Sequence, residues 1–522
     1  MLSRRDMMKQ GALLVAAGGG ALRSCPARAA QPLRGGHVRV ASTTGSLSDT
    51  LDPARESMAT DYMRGAMFYD GLVTLDATLV PQPALAERIE SDDFRTWTFH
   101  LRPGVQFHDG ATLTSADVVY SLRRHLDPLV ASQVRFQARA MRSVRADGPL
   151  GVVIELDAPN ISFPSVLGLN NFAIIRDGTK NFETANGTGP FRCAAFQPGI
   201  RSLAVRNPDF WKTDGVWIDS LELISISDDM ARHNALLSGD VDIIAEVNPR
   251  LVALLRQRGM GVMESPTGTY TDLAIRQDIG PGKNPEFVQA IKHLFNRDQV
   301  ADSVWLGFCR LGNDQPLPPE DRYYNHDLPQ TVFDPDRAKW LLNKNGFLNQ
   351  ELPPLICSPA ANASVDIAVL LQNEASRIGM KLDVRRMPAD GYWSQSWMHF
   401  PLGFGNVNAR GSADMTFSLA FASAAPWNES HWRSSRFDEL LALSRREADE
   451  AKRKAIYYEM QTLIHDGSGL CIPNFITSLD GYHQRIRGLR PHLGGHLMGN
   501  NFSRFIWVDE NAGARETESA PA

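Results

Sequence analysis

Between Tyr392 and Arg433 the chain gathers side chains suited to gripping a small molecule: Trp397, Asn408, Arg410, Asp414 and Trp427, among other aromatics and amides, in a glycine-containing stretch. Aromatic faces offer apolar surface, and a few amides and charges fix orientation, which is the usual composition of a small-solute pocket. The planar fork of Arg410 suits a carboxylate or phosphate, bound through two parallel hydrogen bonds. Asp414 would instead serve an ammonium group. The structural use of the same residues is tryptophans filling a core and charges forming salt bridges. Covalent chemistry finds less support. Gly467-Ser468-Gly469 lacks the Gly-x-Ser-x-Gly spacing of a nucleophile elbow, and no His-Glu-x-x-His or paired-carboxylate motif occurs. His492 and His496 stand four apart, but Gly494 and Gly495 between them oppose a helix that would align both rings, and no third ligand follows. The chain is therefore expected to bind rather than catalyse, with no metal and no cofactor.

Alternating helices and strands must position these groups. His37 to Ala41 alternates as a strand and empties into the polar loop Ser42 to Ser48, a common place for a ligand. Thr96 to Leu101 is a second alternating strand. Thr114 and Asp117 form a capping-box pattern ahead of Val118, Val119 and Leu122. Further helices are predicted after Asp228, over Phe287 to Leu306 behind Asn284-Pro285, over Ala338 to Leu342 behind Asp334-Pro335, and over Ser364 to Ile378. Strands are predicted at Asp242 to Ala245 and Met380 to Arg386, and two charged amphipathic helices at about 436–446 and 450–464. This alternation implies α/β lobes.

Composition sets the compartment and excludes one class of partner. The formal charge is −5, and the first 29 residues carry +4 of their own (Arg4, Arg5, Lys9, Arg23 and Arg28 against Asp6), so the remainder stands at −9. A chain that acidic, without a basic run, lacks the phosphate-neutralising surface that nucleic-acid affinity requires. Arg4-Arg5 precedes a short apolar stretch from Gly11 to Leu22 and then Ala27-Arg28-Ala29, the pattern of a twin-arginine export signal cleaved near Ala29. The apolar stretch is too short to span a bilayer. A lipoprotein box at Cys25 is the second option, and Arg23 suits it poorly. After processing, Cys193, Cys309, Cys357 and Cys471 remain. None are closely spaced, and either disulfides or buried thiols are open to them.

Five motifs in order are specific enough to carry a resemblance. Phe99-His100-Leu101-Arg102-Pro103-Gly104-Val105-Gln106-Phe107-His108-Asp109-Gly110, followed by Leu113 to Val118, resembles the signature of the family 5 extracellular solute-binding proteins. Gly187-Thr188-Gly189-Pro190-Phe191, Asn207-Pro208-Asp209-Phe210-Trp211, Ser238-Gly239-Asp240-Val241-Asp242, and Asp334-Pro335 through Ala338-Lys339 to Gly346-Phe347 are similar to its later motifs. That family comprises dipeptide, oligopeptide and nickel receptors of bacterial ABC importers.

The resemblance implies a two-lobe periplasmic-binding-protein fold (α/β, type II, cluster C-like) with an extra inserted subdomain in lobe I. Lobe I would cover 30–266, with the insertion at about 55–186. Lobe II would cover 267–480, a return to lobe I 481–510, and a disordered tail 511–522. Hinge closure would trap a peptide-like or other small organic solute between the lobes, for delivery by a monomeric periplasmic receptor to permease subunits at the inner membrane. A nickel- or haem-type metal receptor is the alternative within the family. Position in the two-lobe pattern adds Ser42, Thr43 and Thr44, Asn170 and Asn171, and Tyr270 as ligand candidates. The signature from Gly104 to Val118 is read as structural, and His108 as a hydrogen-bonded turn residue. Peptide-binding relatives tend to carry an aspartate in the loop that here reads Asn408, Ala409 and Arg410, with Asp414 a few residues later, a departure that weakens the simple peptide assignment.

Overall fold

The computed structural model describes residues 31–212 and 214–510. The expectations for the export signal, for Cys25 and for the tail from 511 lie outside the described residues.

Elements begin where local side chains satisfy the open ends of helices. Thr114 and Asp117 close the capping box of the helix Ser115–Arg124, the Thr114 amide donating to Asp117 Oδ2 at 2.8 Å. Asp228 accepts from the Ala231 amide at the head of Asp229–Ser238, and Asp334 from Arg337 at the head of Pro335–Lys344. Two expectations need correction. The segment predicted as one helix from Phe287 to Leu306 is two, Pro285–Leu294 and Arg297–Ser303. Phe295 is extended between them, and Asn296 starts the second by accepting from the Gln299 amide, so a local side-chain cap outcompetes continuation of the apolar period. The strand predicted over Met380 to Arg386 is only Val384–Arg386, because pairing with Leu355–Cys357 begins at Val384.

One twelve-stranded sheet runs through both halves of the molecule. Its first half is built on His37–Ser42, paired in parallel with Ser220–Ser225 and with Ile243–Ile244. Its second half is built on Leu402–Val407. Two long strands, Gly261–Ile275 and Asn474–Tyr482, connect the halves and pair antiparallel with each other. Their register shifts between Pro266 and Tyr270. Such an irregularity leaves backbone groups open, and Thr267 serves two of them, its hydroxyl donating to the Ile476 carbonyl at 2.7 Å and accepting from the Thr269 amide at 3.0 Å.

A separate four-stranded antiparallel sheet, Ala86–Glu90, Thr96–Leu101, Gly151–Leu156 and Met141–Ala146, carries the family signature. Trp97, Phe99 and Leu101 alternate inward and pack with Val105, Phe107, Val118 and Leu122. Each such side chain contributes about 1.5–3 kcal/mol on full burial. Gly104 and Gly110 turn the chain at positive φ, and the His108 ring nitrogen lies 3.0 Å from the Gly189 carbonyl. Gly187 and Gly189 pass so close to the backbone of Phe68 that any Cβ would collide with it. Cys193, Cys309, Cys357 and Cys471 are free thiols.

Candidate functional site

A cavity of about 1190 Å³ opens where the two halves of the sheet and the four-stranded subdomain meet. Tyr62, Asn160 and Asn171 line it from one side, Asn408, Arg410 and Trp427 from another, and Thr269, Ile476 and Ser478 of the connecting strands from its floor.

Arg410 reaches this wall through a short loop. The strand Leu402–Val407 ends, the Ala409 amide donates to Thr269 Oγ1 at 3.2 Å, and Ser412 caps the helix Ala413–Ala420 by accepting from the Met415 amide. The Arg410 guanidinium carbon lies 4.8 Å from the centre of the Trp427 ring, a cation–π contact. Its Nε is buried and has no hydrogen-bond partner, and no carboxylate among the described residues pairs with it. Burial pulls its pKa down, opposed by the phenols of Tyr270 and Tyr62, so the surroundings offer this cation no internal counter-charge.

Aromatic rings brace the wall from behind. Trp427 meets Trp397 edge to face at 6.0 Å, Trp397 meets Trp393 at 5.6 Å, and Trp393 meets Tyr392 at 5.2 Å. Beneath them lie two carboxyls with no cation between them. Asp272 faces Gly405 across the strand pair, and the Glu429 carboxyl fills the space that a side chain at 405 would need. Both acids are buried with no well-formed hydrogen bond to their oxygens; each feels the other, and Glu429 also the Trp397 side chain. Burial raises both pKa values, Asp272 to about 7, and the neighbouring Asp272 charge pushes Glu429 up further.

The structure brings six of the eleven sequence candidates to the cavity wall: Arg410, Trp427, Asn408, Asp414, Asn170 and Asn171. Four of these six are already engaged: Asn408 accepts from the Asn406 side-chain amide at 3.3 Å and Asn170 donates to the Tyr62 carbonyl at 3.3 Å. Asp414 accepts from Arg445 at 2.6 and 3.3 Å, and Asn171 donates to the carbonyls of Pro53 and Glu56. Five stand off the wall, among them Thr43, whose hydroxyl is buried with no hydrogen-bond partner. Trp397 lies behind Trp427, against a separate void of about 10 Å³. Tyr270 is fully buried edge-on to Phe475 at 5.7 Å, its hydroxyl without a partner. Ser42 is fully buried at the end of its strand, and Thr44 receives the Thr60 amide at 3.4 Å. The strand-end loop after His37 thus packs instead of lining the cavity. Tyr62, Thr269, Asn362 and Glu246 line it without any motif to mark them. Burial, followed by the nearby Glu56 charge, pushes the Tyr62 phenol up to about 12. His492, also on the wall, is pushed down to about 4 by burial, whereas His496 pairs with Asp480 at 2.8 Å and is pulled up by it. No group of three or more His, Cys, Asp or Glu side chains placed to hold a metal occurs among the described residues.

Two lobes joined by long strands around a polar and aromatic cavity define a solute receptor. The profile of the bacterial extracellular solute-binding proteins, family 5, matches residues 80–429, and the chain belongs to that family. It is 26% identical over 460 residues to a dipeptide-binding protein of Pseudomonas aeruginosa, covering 80% of this chain and 85% of that one. In fold it matches an ABC transporter-associated periplasmic binding protein from Helicobacter pylori in complex with peptide STSA (TM-score 0.79, 21% identity, 92% and 99% of the two chains). It also matches a periplasmic binding protein from A. tumefaciens R10 in complex with agropinic acid (TM-score 0.77, 23% identity, 91% and 99%).

Proposed function

We propose that this protein is the periplasmic receptor of an ABC importer and that it captures a small organic solute bearing a carboxylate, peptide-like in kind, through Arg410. The observation that carries the reading is the unpaired Arg410 guanidinium, stacked on Trp427 at the wall of a cavity large enough for a drug-sized solute or a short peptide. Asp414, the other charged candidate, is held by Arg445, which leaves Arg410 as the free charge of that loop. The lobes, 30–266 with 481–510 and 267–480, close about the connecting strands, and the backbone bond from Ile161 to the Arg445 carbonyl joins the two sides at the rim. Export through the twin-arginine pathway, a monomeric state and delivery to inner-membrane permease subunits complete the reading, with binding rather than catalysis as the activity.

Native mass spectrometry of the protein purified without its signal, followed by denaturation and identification of the released molecule, tests it. A carboxylate-bearing adduct, absent from Arg410→Ala, is the expected result. A cationic or neutral adduct retained equally by both proteins would remove Arg410 from the site.

A further inference from the structure

The same cavity holds a second charge whose side chain has no hydrogen-bond or ion-pair partner among the described residues, and it has the opposite sign. Glu246 lines the cavity and follows the strand Ile243–Ile244 of the His37 half of the sheet, so it approaches the solute from the lobe opposite to Arg410. Its backbone sits at φ +58, a conformation that non-glycine residues adopt at a cost and that concentrates at functional sites. Two bonds hold it there: its amide donates to Asp480 Oδ1 at 3.3 Å, and its carbonyl accepts from Arg232 Nη2 at 2.9 Å. Neither involves the carboxylate, which makes no hydrogen bond or ion pair with any described residue.

The neighbouring cations are already used. Arg232 is buried and spends its guanidinium on Asp229 and on the carbonyls of Ala245, Ile226 and Glu246. His496 feels the Glu246 charge, but its ring bonds to Asp480 at 2.8 Å, whose other oxygen accepts the Leu497 amide at 2.7 Å. A half-buried carboxylate at the cavity wall, whose neighbouring cations make their hydrogen bonds to other groups, is matched by a cation arriving with the ligand.

We propose that Glu246 is the anchor for a cationic group of the solute, so that the ligand carries an ammonium-type cation as well as the carboxylate taken by Arg410. This rests on the Arg410 reading above and adds the second charge to it. The lobe origins of the two residues give the pairing a purpose, since only a ligand with both charges is held by both lobes at once and favours the closed form.

The test uses the mature protein, freed of ligand, and a thermolysin digest of casein in three portions: untreated, N-acetylated and methyl-esterified. Captured species are identified after desalting and denaturation. Wild type is expected to retain peptides from the untreated digest and about 30-fold less from the N-acetylated one, the lower end of the loss for removing one partner of a desolvated charge pair. Glu246→Gln, which preserves both backbone bonds, should capture the two digests alike with an unchanged melting temperature. Wild type that takes both digests equally, that captures nothing from the untreated digest, or whose preference survives in Glu246→Gln overturns the inference. The esterified portion reports on Arg410 separately: equal capture of free and esterified peptides would sink the Arg410 reading whatever Glu246 does.

Discussion

The Arg410 guanidinium rests on the face of Trp427, 4.8 Å from the ring centre, and no carboxylate of the described protein reaches it. A cation in this position has its direction fixed by the ring and its charge left over for a guest. The Trp397 and Trp393 rings stacked behind Trp427 hold that direction without adding polar competition.

Arg410→Ala should therefore weaken binding of the carboxylate ligand by about 2 kcal/mol or more, roughly 30-fold in Kd. Arg410→Lys should recover only part of the loss, because lysine keeps the charge but neither the fork nor the planar stack. Calorimetry on the three proteins decides it; an unaltered Kd in Arg410→Ala would exclude the contact.

Ligand binding should change tryptophan fluorescence through Trp427, the one ring of the aromatic chain that contacts Arg410. Trp427→Phe is expected to abolish most of the change and to weaken binding by about 1 kcal/mol, the scale of a partly desolvated cation–π contact. A full-size signal in that variant would place the reporter elsewhere.

Asp414→Asn should act on stability more than on recognition. The carboxylate is buried against Arg445, itself partly exposed, so breaking the pair costs about 2 kcal/mol after allowance for solvent screening. Denaturant midpoints should fall while ligand Kd moves less than about threefold, well under the 1.4 kcal/mol that a tenfold change represents. Loss of binding at unchanged stability would instead make Asp414 a ligand anchor.

The Asp272–Glu429 pair predicts a stability term that declines with rising pH. Burial raises both pKa values above those of the unfolded chain, so the folded protein holds protons that the unfolded chain has released. The contribution is complete below about pH 4, near the ordinary carboxylate values, and is lost as pH rises through the raised ones, Asp272 at about 7. Relative to wild type, Glu429→Gln should gain stability steadily between pH 5 and pH 8, roughly 1.4 kcal/mol for each unit of pKa displacement removed. A pH-independent difference between the two proteins would show that the carboxyls carry no such linkage.

Much of the scaffold is legible in local sequence because its determinants are local. Thr114 and Asp117 cap their helix within four residues, Asp228 and Asp334 do the same for theirs, and Thr96 to Leu101 buries alternate residues as its pattern requires. The Phe287 helix was longer on paper than in space because apolar periodicity continued past Asn296, while the side chain of Asn296 had already begun a new helix.

For the site, the sequence by itself determined the family and the aromatic and charged character of the 392–433 stretch. It did not determine which charges are free. Asp414 and Arg410 are four residues apart and equally eligible as ligands in the sequence, yet Arg445, 31 residues beyond Asp414, neutralises one and nothing neutralises the other. Glu246 and Tyr62 reach the cavity from distant segments, with no local signal to mark them. Only the tertiary structure decided these points, because whether a charge is spent or available depends on its neighbours in space, and those come from segments that local pattern does not connect.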